Sequence, residues 1–190
     1  MKWVIRIAGL FIALVAIGVL ILVVLGRREG AGRVRASTEI HATPEQIWPY
    51  LTESGKVKQW ITWLVEIRPD DPSKTGVGAR EVWVMRDANN GGRTMEMVGV
   101  CTEYKPPSRL GTHVSSTGMF DGDQIFQIET LGAGKSRVSI DGKFRYTQWL
   151  GALFEPLVTP AAEKKLGGDV SRLKELVEKG AGNGSASSAL

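Results

Sequence analysis

Residues 36–63, ASTEIHATPEQIWPYLTESGKVKQWITW, constrain the fold of this chain more than any other stretch. They open with a short alternating run, residues 36–41, that reads as a strand. Thr43-Pro44-Glu45-Gln46 follows. Thr43 suits an N-cap, Pro44 suits the first helical position, and Gln46 stands three residues after the cap, where it can close a capping box. Pro49 comes soon after, and a proline inside a helix ends or kinks it, so this helix is expected to be short. Ile47, Trp48 and Leu51 supply its apolar face. A second short helix is expected around residues 54–60, with an aromatic cluster of Trp60 and Trp63 at its exit.

Residues 64–146 then read as a meander of antiparallel strands. Residues 64–68 form a strand with Val65 and Ile67 on one face, and a turn region follows at Pro69-Asp70-Asp71-Pro72-Ser73. Residues 80–86 and 94–104 are strands separated by Asn89-Asn90-Gly91-Gly92, a hairpin signal because Asn and Gly accept the positive φ of tight turns. After the breaker Pro106-Pro107, strands are expected over 110–116 and 124–130, with Phe120-Asp121-Gly122-Asp123 as the turn between them. The last strand, 136–146, alternates most clearly. Val138, Ile140, Phe144 and Tyr146 fall on one face, and Ser139, Asp141, Lys143 and Arg145 on the other.

The remainder is helical. Residues 148–158 form a first stretch with Trp149, Leu153 and Leu157 in line, and Thr159-Pro160 restart it as cap and first position. Ala162, Leu166, Val170, Leu173 and Val177 then lie on one face of a long helix. Residues 180–190, rich in Gly, Ser and Ala, are expected to be a disordered tail. The fold class is therefore α+β, a sheet of about six to seven antiparallel strands covered by a long C-terminal helix, with two short helices after the first strand.

This order resembles the START-like helix-grip superfamily (SRPBCC, pollen-allergen-like), in its polyketide cyclase/dehydrase-like bacterial branch. The matching residues are Ile40-x-Ala42-x-Pro44-x-x-Ile47-Trp48, then Leu51-Thr52 and the Trp that closes the second helix. Leu157-x-x-Pro160-Ala161-Ala162-Glu163-Lys164, leading into the long helix, matches as well. The resemblance spans roughly residues 35–178. It implies a curved sheet gripping the C-terminal helix, with a hydrophobic cavity between them. That superfamily hosts cyclases, lipid carriers, receptors and chaperone activators on one scaffold, so the fold does not choose among them.

Ahead of this domain, residues 7–25, IAGLFIALVAIGVLILVVL, are apolar throughout. Nineteen residues at about 1.5 Å each reach roughly the 30 Å of a bilayer core. Trp3 is placed as an interfacial anchor, and Arg6 can snorkel. A cleaved signal peptide is the rival reading. The run exceeds the ~7–15 residues of a signal core, and Arg27-Arg28-Glu29 stands where a small-residue cleavage site belongs. The expected organisation is an anchor over 1–26, a basic linker over 27–34, a helix-grip domain over 35–179 and the tail. Arg27, Arg28, Arg33 and Arg35 outweigh Lys2 and Arg6, which by the positive-inside rule turns the domain of this single-pass chain toward the cytoplasm. The net charge of +4 belongs to this flank. Without residues 1–35, 18 basic residues face 19 acidic ones, which gives no support for nucleic-acid binding.

The lone Cys101 excludes an internal disulfide and a Cys-rich zinc site. No nucleophile elbow, metal-ligand motif, Walker loop or dinucleotide fingerprint occurs, and no metal or cofactor is expected. Candidate cavity residues are Trp83, Met85, Met95, Met97, Phe126, Ile128, Ile140, Phe144, Ala162, Leu166 and Val170, each of which is equally an ordinary core position. The catalytic candidate is His113, mid-strand with Ser115 on its face, where it can point inward as a proton donor. His41, Glu66, Glu96 and Asp141 read as surface or structural. Two functions follow: a membrane-anchored module binding a hydrophobic small molecule or lipid, or an enzyme of cyclase/dehydrase type. A packed domain acting through protein contacts, with Trp48, Trp60 and Trp63 as a surface patch, is the third.

Overall fold

The computed structural model describes residues 2–26, 31–86 and 91–187. Helix α1 (Lys2–Gly26) leads into β1 (Arg33–Ile40), and α2 (Pro44–Thr52) and α3 (Ser54–Trp60) follow. Six further strands come next: β2 (Leu64–Pro69), β3 (Arg80–Arg86), β4 (Thr94–Lys105), β5 (Arg109–Ser116), β6 (Phe120–Gly132) and β7 (Lys135–Tyr146). Helix α4 (Trp149–Ser187) ends the described chain. The strands form one curved antiparallel sheet in the order β1-β7-β6-β5-β4-β3-β2, so the first strand pairs with the last. The architecture is the α+β arrangement expected.

The capping box forms as read: Gln46 Oε1 accepts the Thr43 N–H at 2.9 Å. Pro49, however, neither ends nor shortens α2 before Thr52. The amide it lacks would have served the carbonyl of Glu45, an exposed residue whose oxygen water can reach. Asp121, Gly122 and Asp123 are strand residues, not a turn; the turn lies at 117–119, where Gly118 holds φ 71°. Of the Asn89–Gly92 hairpin signal, Asn89 and Asn90 lie outside the described residues, and Gly91 and Gly92 carry φ of 61° and 69°. Arg27, Arg28 and Glu29 of the linker are likewise outside them. Helix α4 is continuous through Pro156 and Pro160, and it runs past Gly180 to Ser187, into the stretch expected to be tail.

The main core lies under α4. Val170, Leu173 and Val177 pack on Ile40, Ile128, Val138 and Ile140, with Ile47 and Leu51 of α2 and Trp60 of α3 closing the side. Polar ties fix the helix over β1 and α3. Lys174 Nζ donates to the Glu39 carbonyl at 2.8 Å, and Glu178 accepts the His41 N–H at 2.9 Å. Buried Asp169 accepts Thr62 Oγ1 at 2.9 Å and Lys165 Nζ at 2.6 Å, so its charge is compensated.

At the other end, Gly32 joins α1 to the sheet. Its φ of 70° suits glycine, and a Cβ there would lie 2.0 Å from the Phe144 carbonyl. Its N–H donates to buried Glu155 Oε1 at 2.7 Å, tying the start of β1 to α4. The sheet's outer face carries ion pairs, including Arg109–Glu103 at 2.7 Å, Arg80–Asp70 at 3.1 Å and Arg137–Glu39 at 2.9 Å. The Arg80–Asp70 and Arg137–Glu39 pairs are solvent-exposed and of small energetic weight, and Arg109–Glu103 is half-buried.

Candidate functional site

Helix α4 covers β1, β7 and β6. The other side of the sheet, β2 to β5, is roofed by the short α2 and α3, and there a cavity of about 160 Å³ opens. Leu51, Val57, Trp60 and Ile61 form its roof, and Ile67, Trp83, Leu110 and Phe126 its floor. Trp60 and Phe126 meet edge-on with ring centres 6.5 Å apart, and Trp60 Nε1 donates to the Tyr50 carbonyl at 2.8 Å, which locks the indole. The mouth is framed by Lys74, Thr75 and Gly76 from the β2–β3 loop and by Tyr104. Tyr104 also stacks edge-on against Trp48, 5.5 Å between centres.

Two β-bulges aim side chains into this space. In β2 the register shifts between Leu64 and Glu66, so Leu64 and Ile67 both turn inward, while Val65, expected beside Ile67, is exposed. In β4 the register shifts between Cys101 and Glu103. Cys101 and Tyr104 thereby both line the cavity, and Glu103 turns outward to Arg109. The strict alternation of the sequence reading could not give this. The signal it leaves is apolar spacing at i and i+3 inside a strand, Leu64-x-x-Ile67 and Cys101-x-x-Tyr104.

The polar edge of the cavity is Glu81, Cys101, Thr112 and Tyr104. Glu81 accepts a hydrogen bond from Trp83 Nε1. Burial pushes the Glu81 carboxyl above the usual range, against that bond, and burial together with the Glu81 charge pushes the Cys101 thiol up. A carboxyl so held keeps its proton to higher pH than an exposed one and can donate a hydrogen bond from it, so the group can recognise a hydroxyl or carbonyl edge. Sequence reasoning passed over Glu81, because one acidic residue at a strand's start carries no pattern.

Of the residues named from sequence, Trp83 and Phe126 line this cavity. Met97 is buried on the same sheet face, paired with Trp83, and Met85 and Met95 pair with each other farther along it. Ile128, Ile140 and Val170 are in the packed core, with Leu166 against it, and Ala162 is half-buried on α4. Phe144 stacks on Phe120 beside a more open cleft of about 430 Å³ near the start of α4. Among the described residues, no side chain lining the cavity of about 160 Å³ comes from α4, so that space lies between the sheet and α2–α3, not under the C-terminal helix. The reason is position: α4 packs directly on the β1–β7–β6 side.

His113 is on the outer face. Its Nδ1 lies 2.9 Å from Asp123 and its Nε2 3.1 Å from Asp121, and the Asp123 bond leads in holding the imidazole above its usual pKa. Thr112 and Val114, its neighbours, take the inward positions. Trp60 belongs to the core and the cavity roof; Trp48 and Trp63 are half-buried, with Lys165 Nζ 4.8 Å from the Trp63 ring centre. No group of three His, Cys, Asp or Glu that could hold a metal ion occurs among the described residues.

The profile of the polyketide cyclase/dehydrase and lipid transport family matches residues 31–178. No curated protein matches the sequence. Among solved structures, a protein of Thermus thermophilus is similar with TM-score 0.63 and 18% identity, over 76% of this chain and 96% of that one. A conserved protein of Geobacillus kaustophilus gives TM-score 0.64 at 10% identity, over 77% of this chain and 95% of that one. The di-domain ARO/CYC BexL from the BE-7585A biosynthetic pathway gives 0.60 at 14%, over 77% of this chain and 46% of that one. At these identities the likeness is one of fold.

Proposed function

Because this chain belongs to the polyketide cyclase/dehydrase and lipid transport family, we propose that it is a membrane-anchored module that binds a hydrophobic small molecule or a lipid segment. The observation that carries this reading is the cavity walled by Trp60, Trp83 and Phe126 with Glu81 at its edge. Its size narrows the ligand. About 160 Å³ is close to the ~150 Å³ apolar cavity that accepts benzene, and below the ~300–1,000 Å³ of sites that enclose drug-sized molecules. One ring or a short alkyl segment fits inside, and anything longer extends past Lys74 and Tyr104 at the mouth. Glu81 and Thr112 favour a ligand with a hydroxyl or keto group on the buried end. Helix α1 is long and apolar enough to cross a membrane, and in this reading it holds the domain at the source of apolar ligands.

The cyclase/dehydrase reading is supported by one observation, the Glu81 carboxyl lifted by burial within the cavity, where it can hydrogen-bond to a ketone as it enolises. His113, on the outer face, takes no part in it.

Cys101 is the only cysteine in the chain and lines the cavity, so it reports occupancy. The full chain is treated with a water-soluble maleimide with and without 2-naphthol, a small ring carrying a hydroxyl. Binding slows modification several-fold. An unchanged rate up to the solubility limit of the probe would overturn the proposal. Extraction of the purified chain followed by mass spectrometry then identifies the native ligand.

A further inference from the structure

The first three turns of α4 are built inside out. Glu155 and Thr159 are 3% and 5% exposed, while Trp149 and Leu157 are 74% and 61% exposed, with Phe154 and Val158 exposed beside them. At about 100° per residue, the four apolar side chains fill one half of the helix surface and the two polar ones lie on the other. From Thr147 to Ala162, Glu155 is the only charged residue. The inward polar groups have partners that hold the inversion in place. Glu155 accepts the Gly32 N–H, and Thr159 hydrogen-bonds with Tyr146. Past Pro160 the polarity is ordinary: Val170, Leu173 and Val177 are buried, and Ser171, Arg172 and Glu175 are exposed.

A helix that hides its carboxylate and presents a half-cylinder of apolar side chains is suited to lipid, not water. The neighbour of this face points to the same occupant. The last turn of α1 packs on the flank of the same turns, beside the apolar half and not over it, so closely that a Cβ on Gly26 would be 2.8 Å from the Ala152 carbonyl. The apolar span thus ends where the inverted face begins.

We infer that the first three turns of α4 are a second membrane element, lying at the headgroup–acyl boundary with Trp149, Phe154, Leu157 and Val158 turned into the bilayer that α1 crosses. The inference rests on the reading of α1 as a membrane span. It adds a second, lateral attachment, which fixes the tilt of the domain on the membrane where one span would let it swivel.

The test uses the full chain with Cys101→Ser, reconstituted in phosphatidylcholine–phosphatidylglycerol vesicles. Single cysteines replace Leu157, Glu175 and Leu14 in turn and carry an environment-sensitive nitrobenzoxadiazole label. Spin-labelled lipid quenches the Leu157→Cys label several-fold more than aqueous iodide does, and the order reverses for Glu175→Cys on the outward face of the later turns. Iodide quenching of Leu157→Cys equal to that of Glu175→Cys overturns the inference. Protection of Leu157→Cys from both quenchers also overturns it, because protein, such as a second copy of the chain, then covers the face. The Leu14→Cys label reports α1 separately. If lipid quenches it and not Leu157→Cys, only this inference falls; if lipid quenches neither, the membrane-spanning reading falls with it.

Discussion

Trp60 serves the core and the cavity with a single side chain. It is 1% exposed, packs edge-on to Phe126 and gives its N–H to the Tyr50 carbonyl. Trp60→Ala removes the bulk and leaves that carbonyl without its donor, so a loss of about 3–5 kcal/mol is expected in denaturant unfolding of the full chain. Glu81 acts through charge. Its carboxyl is raised in the folded protein, so the folded state holds its proton to higher pH than the unfolded chain does. That contribution is complete below the ordinary glutamate range and is lost as pH rises through the folded value. Glu81→Gln keeps an oxygen for Trp83 Nε1 and never ionises. Relative to wild type it is expected to gain stability as pH rises from about 4, the ordinary glutamate value, through the higher folded value, as unfolding midpoints measured along a pH series will record. A flat difference would mean that the carboxylate is solvated in the folded state. The role of Trp60 was half legible in the sequence, as an aromatic at the end of a short helix; that of Glu81 was not, since desolvation depends on Trp83, Gly99 and Cys101, which only the folded sheet brings around it.

Among the elements, the strands were legible wherever one face is apolar and the other charged, as in β7. In β3 and β4 both alternations carry apolar residues, and the structure decides between them: Trp83, Met85, Met95 and Met97 face the helices, while Val82, Val84, Val98 and Val100 are half-buried on the other face. The bulges in β2 and β4 were beyond strict alternation, because an added residue resets it and leaves only the i, i+3 spacing of Leu64 with Ile67 and of Cys101 with Tyr104. Strands β6 and β7 approach closely at Gly122 and Gly142, under the ring of Phe144. A Cβ on Gly142 would meet that ring at 2.6 Å and Val34 Cγ2 at 3.1 Å, both side chains. One on Gly122 would meet the Lys143 carbonyl at 2.3 Å, which is backbone. Each substitution to Ala is expected to cost about 1–3 kcal/mol. Adding Phe144→Ala should relieve much of the strain of Gly142→Ala and little of that of Gly122→Ala. A double-mutant cycle in denaturant separates the two, and equal rescue would show that the backbone yields at Gly122.

For the molecule as a whole, the registers put α1 and the cavity at opposite ends of the sheet. Arg33, Tyr146, Phe120 and Thr94 are at the α1 end, and Pro69, Arg80, Tyr104 and Leu110 at the other. Seven to ten residues of β4 separate them, roughly 25–35 Å at about 3.4 Å per residue. The mouth therefore faces away from the membrane in the anchored reading, and maleimide should modify Cys101 at the same rate in vesicles, with the domain outside, as in detergent. A several-fold slower rate in vesicles would mean that the domain lies on its mouth or that bilayer lipid fills the cavity, and lipid extracted with the domain after its release from the vesicles marks the second case. The sequence announced an anchor and a cavity-forming fold, but not their relative direction, which only strand registers carry. Those registers also govern how the chain is made. β1 emerges first and its place in the sheet is beside β7; Arg33 and its carboxylate partner Asp141 are 108 residues apart. At about 5–20 residues per second, the ribosome needs roughly 5–20 s to supply that partner. Through that interval the earliest strand waits at the end of α1 with an open edge. A nascent chain released before Lys135 gives no smaller working domain, only an unfinished ladder with β1 unpaired, open to aggregation and to proteolysis.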